Sequence, residues 1–489
     1  MLTKSDFLKY TQCYRYLWLY KYRKNLLPKE VDLSLQKLFS EGYEVEPYAY
    51  KLFPGGVSAM AEEIRDQIAL TKKLVKGGAK TIFQPTVSSD KLFCRGDILN
   101  FNDQAKKWDV YEIKSALSVK DINIIDLAFQ KICYESAGYK INKLHLVYIN
   151  RDFVRKGEVD PKKLLKIEDL TEEVNNLISR VNLDIKSAYK ILNLKEEPQI
   201  KILKQCKYPY ACAFGEYCQR DWPEHNIYRI AGGLSEKKLN LLLDQGILEI
   251  KDIPEDFLTN RKSIKYHYAV KHNQVYIESN KIRTDLSQLE YPLYFLDYET
   301  YGSVIPLFDG YHPYQQIPFQ YSLHIQEKPS GKLEHFAYLA KDWVDPVLNL
   351  AKELKKLVDK KGNFVAWNAD FEKGRNQEMA EHCPQFADFF EDINRRMYDP
   401  IQIFRNGHYV HKDFHGSASL KSVLPVLVPE LSYKKLNIQE GGNASESWRK
   451  MIDPKTPAKE KKQIYDDLLK YCQLDTLGMV EILKFLQKI

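Results

Sequence analysis

Apolar positions recur at helical spacing at the start of the chain, where Phe7, Tyr10, Tyr14, Leu17 and Trp18 form one stripe and Thr3 or Ser5 is placed to cap it. The spacing predicts one helix running through Cys13. A second helix is predicted over 38–46, kinked or broken at Pro47 and ended by Pro54-Gly55-Gly56. The period then shortens to two. Residues 91–99 and 108–114 read as neighbouring strands joined across Asn102-Asp103-Gln104, and a helix carrying Gln130 and Tyr134 follows. A strand over 144–149 and charged helical stretches to Ile202 come next. Between about 221 and 289 the composition shifts to a helix, a glycine turn at Gly246, the phrase Ile250-Lys251-Asp252-Ile253-Pro254 and a basic run over 260–265. A strand at 294–300, an amphipathic helix at 346–358, a strand over 363–372 and a final helix at 460–488 complete the pattern. In that last helix Asp475 falls on the apolar stripe of Ile464, Leu468, Met479 and Leu486. An unpaired charge there is costly, and a metal ion is an economical partner for it.

At 489 residues the chain is long enough for two or three domains with separate cores, and 44% hydrophobic with 28% charged residues excludes disorder. A net charge of +7 permits a polyanionic partner without demanding one. No apolar run approaches a membrane span and the N-terminus lacks a secretory h-region, so a cytosolic location and no membrane partner are expected. Eight cysteines are then expected as thiols or metal ligands, not as a disulfide framework.

Chemistry concentrates first around the predicted hairpin. Side chains alternate along a strand, so Glu112 and Lys114 share a face, and Asp97 at the same end of the preceding strand brings a second carboxylate there. Gln130 and Tyr134 are one helical turn apart. Paired carboxylates hold a divalent cation, and a lysine beside them can orient water or offset phosphate charge. Asp97, Glu112-Ile113-Lys114 and Gln130-x-x-x-Tyr134 together resemble the RecB-like branch of the PD-(D/E)XK nucleases. In relatives with an iron–sulfur cluster a glycine is often followed four residues later by a metal-binding histidine. Counted from Gly42 that position is Glu46, the candidate helical ligand, with Glu44 as its rival; a plain hairpin with solvated acids is the bland alternative.

Cys206, Cys212 and Cys218 follow a C-x5-C-x5-C pattern, and Cys13 makes a fourth thiol, the number required by a cubane iron–sulfur cluster or a structural zinc ion. One early and three late cysteines around such a module resemble the iron–sulfur exonucleases of CRISPR adaptation and the AddB-type helicase-nucleases. The first C-x5-C spacing departs from theirs and fits better an uncharacterised bacterial family joining a RecB-like module to an RNase H-like exonuclease. The resemblance implies a [4Fe-4S] cluster, with zinc as the alternative. Cys94, Cys133, Cys383 and Cys472 read as core thiols.

The second half carries its own acids. Asp297 and Glu299 alternate at the end of an apolar run, and Tyr471 and Asp475 lie one turn apart on the final helix. Asp297-x-Glu299 and Tyr471-x-x-x-Asp475 resemble the first and third motifs of the tyrosine-type DEDD exonucleases. Asn368-Ala-Asp370-Phe371-Glu372 aligns with the second, placing Glu372 where aspartate is usual, with Asp370 as rival. Lys421, in His415-Gly-Ser-Ala-Ser-Leu-Lys421, is a candidate phosphate contact or helix cap. The resemblance implies Mg2+ or Mn2+ at both sites, held by Glu46, Asp97 and Glu112 and by Asp297, Glu299, Glu372 and Asp475, with Lys114 assisting attack at the first and Tyr471 orienting water at the second.

The expected architecture is therefore α/β and multidomain. A PD-(D/E)XK restriction-endonuclease-like core occupies 1–222, a helical linker with a helix–hairpin–helix-like phrase 223–288, and an RNase H-like domain 289–489. The expected function is metal-dependent hydrolysis of DNA at single strands or ends, 3′-to-5′ at the second site, with RNA not excluded, in repair, defence or spacer processing. A helicase or a CRISPR adaptation complex is the expected partner, since no G-x-x-x-x-G-K-[ST] loop is present to drive unwinding. The competing reading is a nucleic-acid-binding or scaffolding protein in which one or both sites are inactive.

Overall fold

A computed structural model describes residues 1–28 and 33–489 as a mixed α/β protein with several sheets. It divides into two compact units, 1–221 with 303–314 and 222–302 with 315–489.

In the first unit the N-terminal stripe is not one helix. Thr3 caps α1 (Lys4–Gln12) with a reciprocal Thr3–Asp6 pair, the chain becomes extended at Cys13 (φ −163°), and α2 (Tyr14–Tyr22) begins. Pro47 neither breaks nor ends α3 (Leu33–Tyr50); it lies exposed in the last turns, where the missing N–H costs one hydrogen bond. The main sheet comprises β1 (Val57–Ser58), β2 (Thr81–Phe83), β3 (Ile98–Asn102), β4 (Lys107–Lys114), β5 (Ile141–Ile149) and β6 (Leu165–Asp169), and these strands lie side by side in sequence order. β3 and β4 are antiparallel, whereas β4 and β5 are parallel, so α4 (Asp121–Ser136) forms the crossover between them. The expected strand over 91–99 is interrupted at Gly96-Asp97. Leu92–Arg95 belongs to a separate small sheet with Leu2–Thr3 and Thr86–Ser88, and only from Ile98 does the chain join the main one. The cause is packing: a Cβ on Gly96 would lie 2.5 Å from the Tyr134 hydroxyl and 2.9 Å from Gln130 Oε1. Phe7 stacks on Phe129 at 4.9 Å, locking α1 to α4, and α5 (Thr171–Leu192) adds Val174, Val181 and Ile185 to the same core.

The second unit takes in the segment expected as a linker. Helices α6 (Glu236–Asp244) and α7 (Arg261–His272) gather Ile227, Leu242, Ile250, Leu258 and Tyr266 around Val410, so 223–288 shares a core with later sequence. Two 3-10 turns, Ile250–Asp252 and Glu255–Phe257, separate α6 from α7 where a helix–hairpin–helix would have a short hairpin. The sheet is built from β7 (Leu293–Tyr301), β8 (Ile317–Gln326), β9 (Leu333–Leu339), β10 (Asn363–Val365) and β11 (Met397–Tyr398), in the order β9-β8-β7-β10-β11. β7 is antiparallel to β8 and parallel to β10, so the strand order reverses at β7. α8 (Val347–Leu357) covers one face with Val347, Leu350 and Leu354. The expected strand over 363–372 ends at Val365; Asn368 takes a left-handed turn (φ 66°) and α9 (Asp370–His382) starts with Asp370 and Glu372 in its first turn. Beyond it come α10 (Leu420–Leu427), α11 (Gly441–Ile452) and α12 (Ala458–Leu486). α12 is fixed to the sheet by Gln320 Nε2 donating to Leu468 O at 2.9 Å and by the Ser322–Thr476 hydroxyl pair at 2.7 Å.

Candidate functional sites

In the first unit the register Ile98 opposite Tyr111 carries Asp97 level with Glu112. Asp97 Oδ2 accepts from the Ile113 amide at 2.7 Å, and burial followed by the Glu112 charge pushes its carboxyl up to about 8. Glu112 is held by three donors: Lys114 Nζ at 2.6 Å and Lys4 Nζ at 2.9 Å on Oε1, and Gln130 Nε2 at 2.7 Å on Oε2. Burial works against its charge, but Lys114 and Lys4 outweigh it and hold the carboxyl well below the usual range. Lys114 also reaches Asp126 Oδ2 at 3.0 Å; burial disfavours its ammonium, yet Asp126 and Glu112 keep it charged. A lysine held this way can orient water or face a phosphate, but at neutral pH it cannot take a proton.

Glu46 is half-buried, accepts from Tyr50 OH at 3.1 Å and Gln84 Nε2 at 3.3 Å, and has its carboxyl raised by burial, with Glu112 among the further causes. Glu44 is exposed, so of the two rivals Glu46 is the one within reach of Glu112. Tyr134 does not touch the acids: its hydroxyl packs on Gly96 and donates to Pro85 O at 3.5 Å, which makes it a positioning residue. Gln130 bridges Glu112 and Asp126 through Nε2, while its buried Oε1 has no partner.

Two members of this network, Lys4 and Asp126, were not singled out by the sequence reading. Asp126 stands one turn before Gln130 on a buried helix face, a signal of the same kind as Asp475. Lys4 has none, because its partners lie more than a hundred residues away. Lys4 is 18% and Glu112 2% exposed, so Lys4→Ala should leave the buried carboxylate with Lys114 and Gln130 but one charged hydrogen bond fewer, and destabilise the first unit by about 2 kcal/mol. Urea unfolding followed by tryptophan fluorescence measures this, and an unchanged midpoint would show the pair to be dispensable.

The four thiols converge at one end of the same unit. Cys13 sits in the break between α1 and α2, Cys206 ends a 3-10 turn, and Cys218 lies in the short helix Gly215–Gln219. Cys212 N donates to Cys206 O at 2.9 Å, and Gln12 Nε2 donates to Gln205 O at 2.8 Å and Tyr210 O at 2.7 Å, tying the late loop to α1. Burial first, with the neighbouring thiols adding to it, pushes Cys206 up to about 11 and Cys212 up to about 12. Thiols so placed are protonated unless a metal takes their protons' place.

In the second unit Asp297 stands at the middle of β7 and Glu299 two residues on, beside a register shift between Glu299 and Thr300. Ligand atoms of Asp297, Glu299 and Cys472 lie within 4.8 Å of one another. Cys472 is therefore not a plain core thiol: its Sγ is 3.5 Å from Asp297 Oδ2. Burial and then the Asp475 charge push both Asp297 and Glu299 well above the carboxylate range. Burial also raises Asp475 to about 7 and Glu372 to about 8. Glu372 is buried and its Oε2 has no partner, whereas the rival Asp370 is exposed. Tyr471 is buried, with its hydroxyl raised by burial and by Asp475, Glu299 and Asp297. A second tyrosine, Tyr433, missed in the sequence because it lies in an irregular stretch, donates to Asp475 Oδ1. Lys421 pairs with Glu440 at 3.0 Å and lies 5.7 Å and 5.6 Å from the Tyr433 and Tyr471 ring centres. The N-terminus of α11 completes the wall: a Cβ on Gly441 would stand 3.9 Å from Glu299 Oε2.

Residues 294–419, a span that includes Asp297, Glu299 and Glu372, match the family model described as a domain of unknown function, DUF2779. The chain is 23% identical over 393 residues to the uncharacterized protein MG366 of Mycoplasma genitalium, covering 71% of this chain and 57% of that protein. It is 25% identical over 227 residues to the MG366 homolog of Mycoplasma pneumoniae (42% and 34%), and 25% identical over 310 residues to the uncharacterized protein UU173 of Ureaplasma parvum (56% and 44%). The chain thus spans between a third and somewhat over half of these relatives. No solved structure matches. Among the described residues no helix is long and apolar enough to cross a membrane.

Proposed function

We propose that the chain is a metal-dependent nuclease acting on DNA single strands or ends, with a RecB-like site in the first unit and a 3′-to-5′ exonuclease site in the second. One observation carries the reading: Asp297, Glu299, Glu372 and Asp475 are gathered in one place, each raised toward neutrality by burial, and Asp297 and Glu299 raised further by the charges of Asp475 and Glu372. Four such acids cost stability unless a cation joins them. Their hard oxygen donors and the orphaned Glu372 Oε2 fit Mg2+ or Mn2+. The acids follow directly on the stretch of β7 that pairs with β10, where the strand order reverses, and open α/β sheets bind ligands at such switch points; this supports an RNase H-like reading of the unit. In the first unit the β3–β4–α4–β5 succession, with Asp97 level with Glu112 and Gln130 reaching it from the crossover helix, supports the PD-(D/E)XK reading.

When bound, divalent cations supply charge stabilisation for the attacking and leaving oxygens of a phosphodiester displacement. Around them Tyr433 fixes the rotamer of Asp475, Tyr471 offers a hydroxyl to orient water, and Lys421 presents a charge to the departing phosphate. The Cys13, Cys206, Cys212 and Cys218 thiols fit a [4Fe-4S] cluster, which would clip the start of the first unit to its end.

A second reading is favoured by the double pairing of Glu112 with Lys4 and Lys114: a first unit that binds nucleic acid without cutting it. Degradation of labelled single-stranded DNA and RNA in Mg2+ or Mn2+ separates these. Asp297→Ala should abolish release of mononucleotides from the 3′ end by about a hundredfold or more. Glu112→Ala should abolish any remaining cleavage; if none remains in Asp297→Ala, the first site is a binding site, and if neither variant loses activity the assignment fails.

A further inference from the structure

The second unit holds another convergence of metal-binding side chains, unrelated to the acids on β7. Glu224 and His225 meet Asp413 and His415, contributed by segments almost two hundred residues apart, and ligand atoms of Glu224, His225 and Asp413 all lie within 4.8 Å of one another. His225 Nε2 is 3.8 Å from Asp413 Oδ1 and His415 Nε2 is 3.7 Å from Glu224 Oε1, while the two imidazoles stack at 5.5 Å. These separations exceed a hydrogen bond. They approach the roughly 3–3.5 Å between donors sharing an ion through bonds of about 2.0–2.2 Å.

Two further facts mark the place as built. The Nδ1 atoms of both His225 and His415, the ring nitrogens away from the carboxylate contacts, are buried with no hydrogen-bond partner, so no protein group fixes either ring's tautomer and Nε2 can be the unprotonated, metal-binding nitrogen. The backbone beneath is closely packed: a Cβ on Gly416 would stand 2.0 Å from Arg229 O, and Tyr266 OH donates to Lys412 O at 2.8 Å. His411 serves the cluster from behind, its Nδ1 accepting from the Asp413 amide at 3.2 Å. The neighbouring cations are Arg229, which donates to Glu224 O at 3.2 Å, and Lys412, 3.8 Å from Asp413 Oδ1. Neither is within hydrogen-bond reach of a cluster carboxylate.

We propose that Glu224, His225, Asp413 and His415 form a binding site for a borderline divalent transition ion such as zinc. Two imidazoles with two carboxylates suit that class better than magnesium, which favours all-oxygen sites. Glu224, His225 and Asp413 supply three donors already gathered, and His415, 3.7 Å from Glu224, supplies the fourth by a small ring movement; so closed, the site is structural and clips residues 224–225 to the turn that leads into α10 and Lys421.

The test is zinc content of the full chain after dialysis against zinc in excess magnesium, which occupies the hard acidic sites. The parent should retain one zinc more per chain than His225→Ala/His415→Ala. Glu224→Gln, whose side chain is 69% exposed and whose replacement leaves the fold intact, should weaken that binding about tenfold or more. Cys212→Ser should keep this zinc, which separates the site from the thiols, and zinc should raise the parent's melting temperature but not that of the double variant. Equal zinc in parent and Glu224→Gln, or a parent whose only zinc vanishes with Cys212→Ser, overturns the proposal.

Discussion

Asp475→Asn should raise the melting temperature of the metal-free chain at pH 8 by about 5 °C or more while abolishing metal-dependent activity of the second site. A buried polar substitution that stabilises is unusual, and the reason lies in the neighbours. Asp475 is 7% exposed on the stripe of α12, and its charge is among the causes raising Asp297, Glu299 and Tyr471. Asparagine keeps an oxygen for the Tyr433 hydroxyl and removes the charge.

The pH dependence has a definite sign. A carboxyl raised from 3.8 to about 7 binds more protons folded than unfolded, so between those values stability falls as pH rises. At pH 8 the full cost is on the order of 4 kcal/mol for Asp475 alone, at about 1.4 kcal/mol per unit. Glu372 and Asp97, each raised to about 8, extend the window upward. In EDTA the parent should therefore melt higher at pH 5.5 than at pH 8, manganese at pH 8 should close the gap, and Asp475→Asn should show less of both effects. A parent equally stable at both pH values without metal would show that these acids do not repel one another.

Alternation and helical spacing made most of the acids legible. Glu112 with Lys114, Asp297 with Glu299, and Tyr471 with Asp475 are each pairs whose common face follows from period alone, and each pair falls on the element expected for it. What period cannot carry is a break. Cys13 stands where α1 stops, Gly96 where one strand leaves its sheet for another, and Asn368 where a strand hands over to α9; in each case the apolar pattern runs on across the junction. The segment 223–288 reads as a linker for a related reason. Its apolar residues find their partner, Val410, far along the chain, and local pattern is blind to such pairing. Lys4, Tyr433 and the Glu224/His225–Asp413/His415 convergence share that cause, since tertiary structure alone brings them to their neighbours.

Cys212→Ser should bleach the brown colour expected of anaerobically purified protein and lower its melting temperature by on the order of 10 °C. Cys212 packs in a small satellite core with Trp18, Leu19 and Phe214, apart from the main core of the first unit, so little apolar burial holds this end together. The remaining ties are polar: Arg15 Nε to Glu197 Oε1 at 2.6 Å, Tyr14 OH to Gln199 O at 2.9 Å, and the two bonds from Gln12. Such ties contribute about 1 kcal/mol each and do not replace a cluster closing a loop of nearly two hundred residues. Because α1 also carries Lys4 to Glu112, loosening of this end should reach the first site: Cys212→Ser should lose cleavage there while sparing release of mononucleotides from 3′ ends. A colourless parent containing zinc at the thiols would replace the cluster with a zinc clip and leave the mechanical argument standing. A Cys212→Ser chain as stable as the parent would remove both.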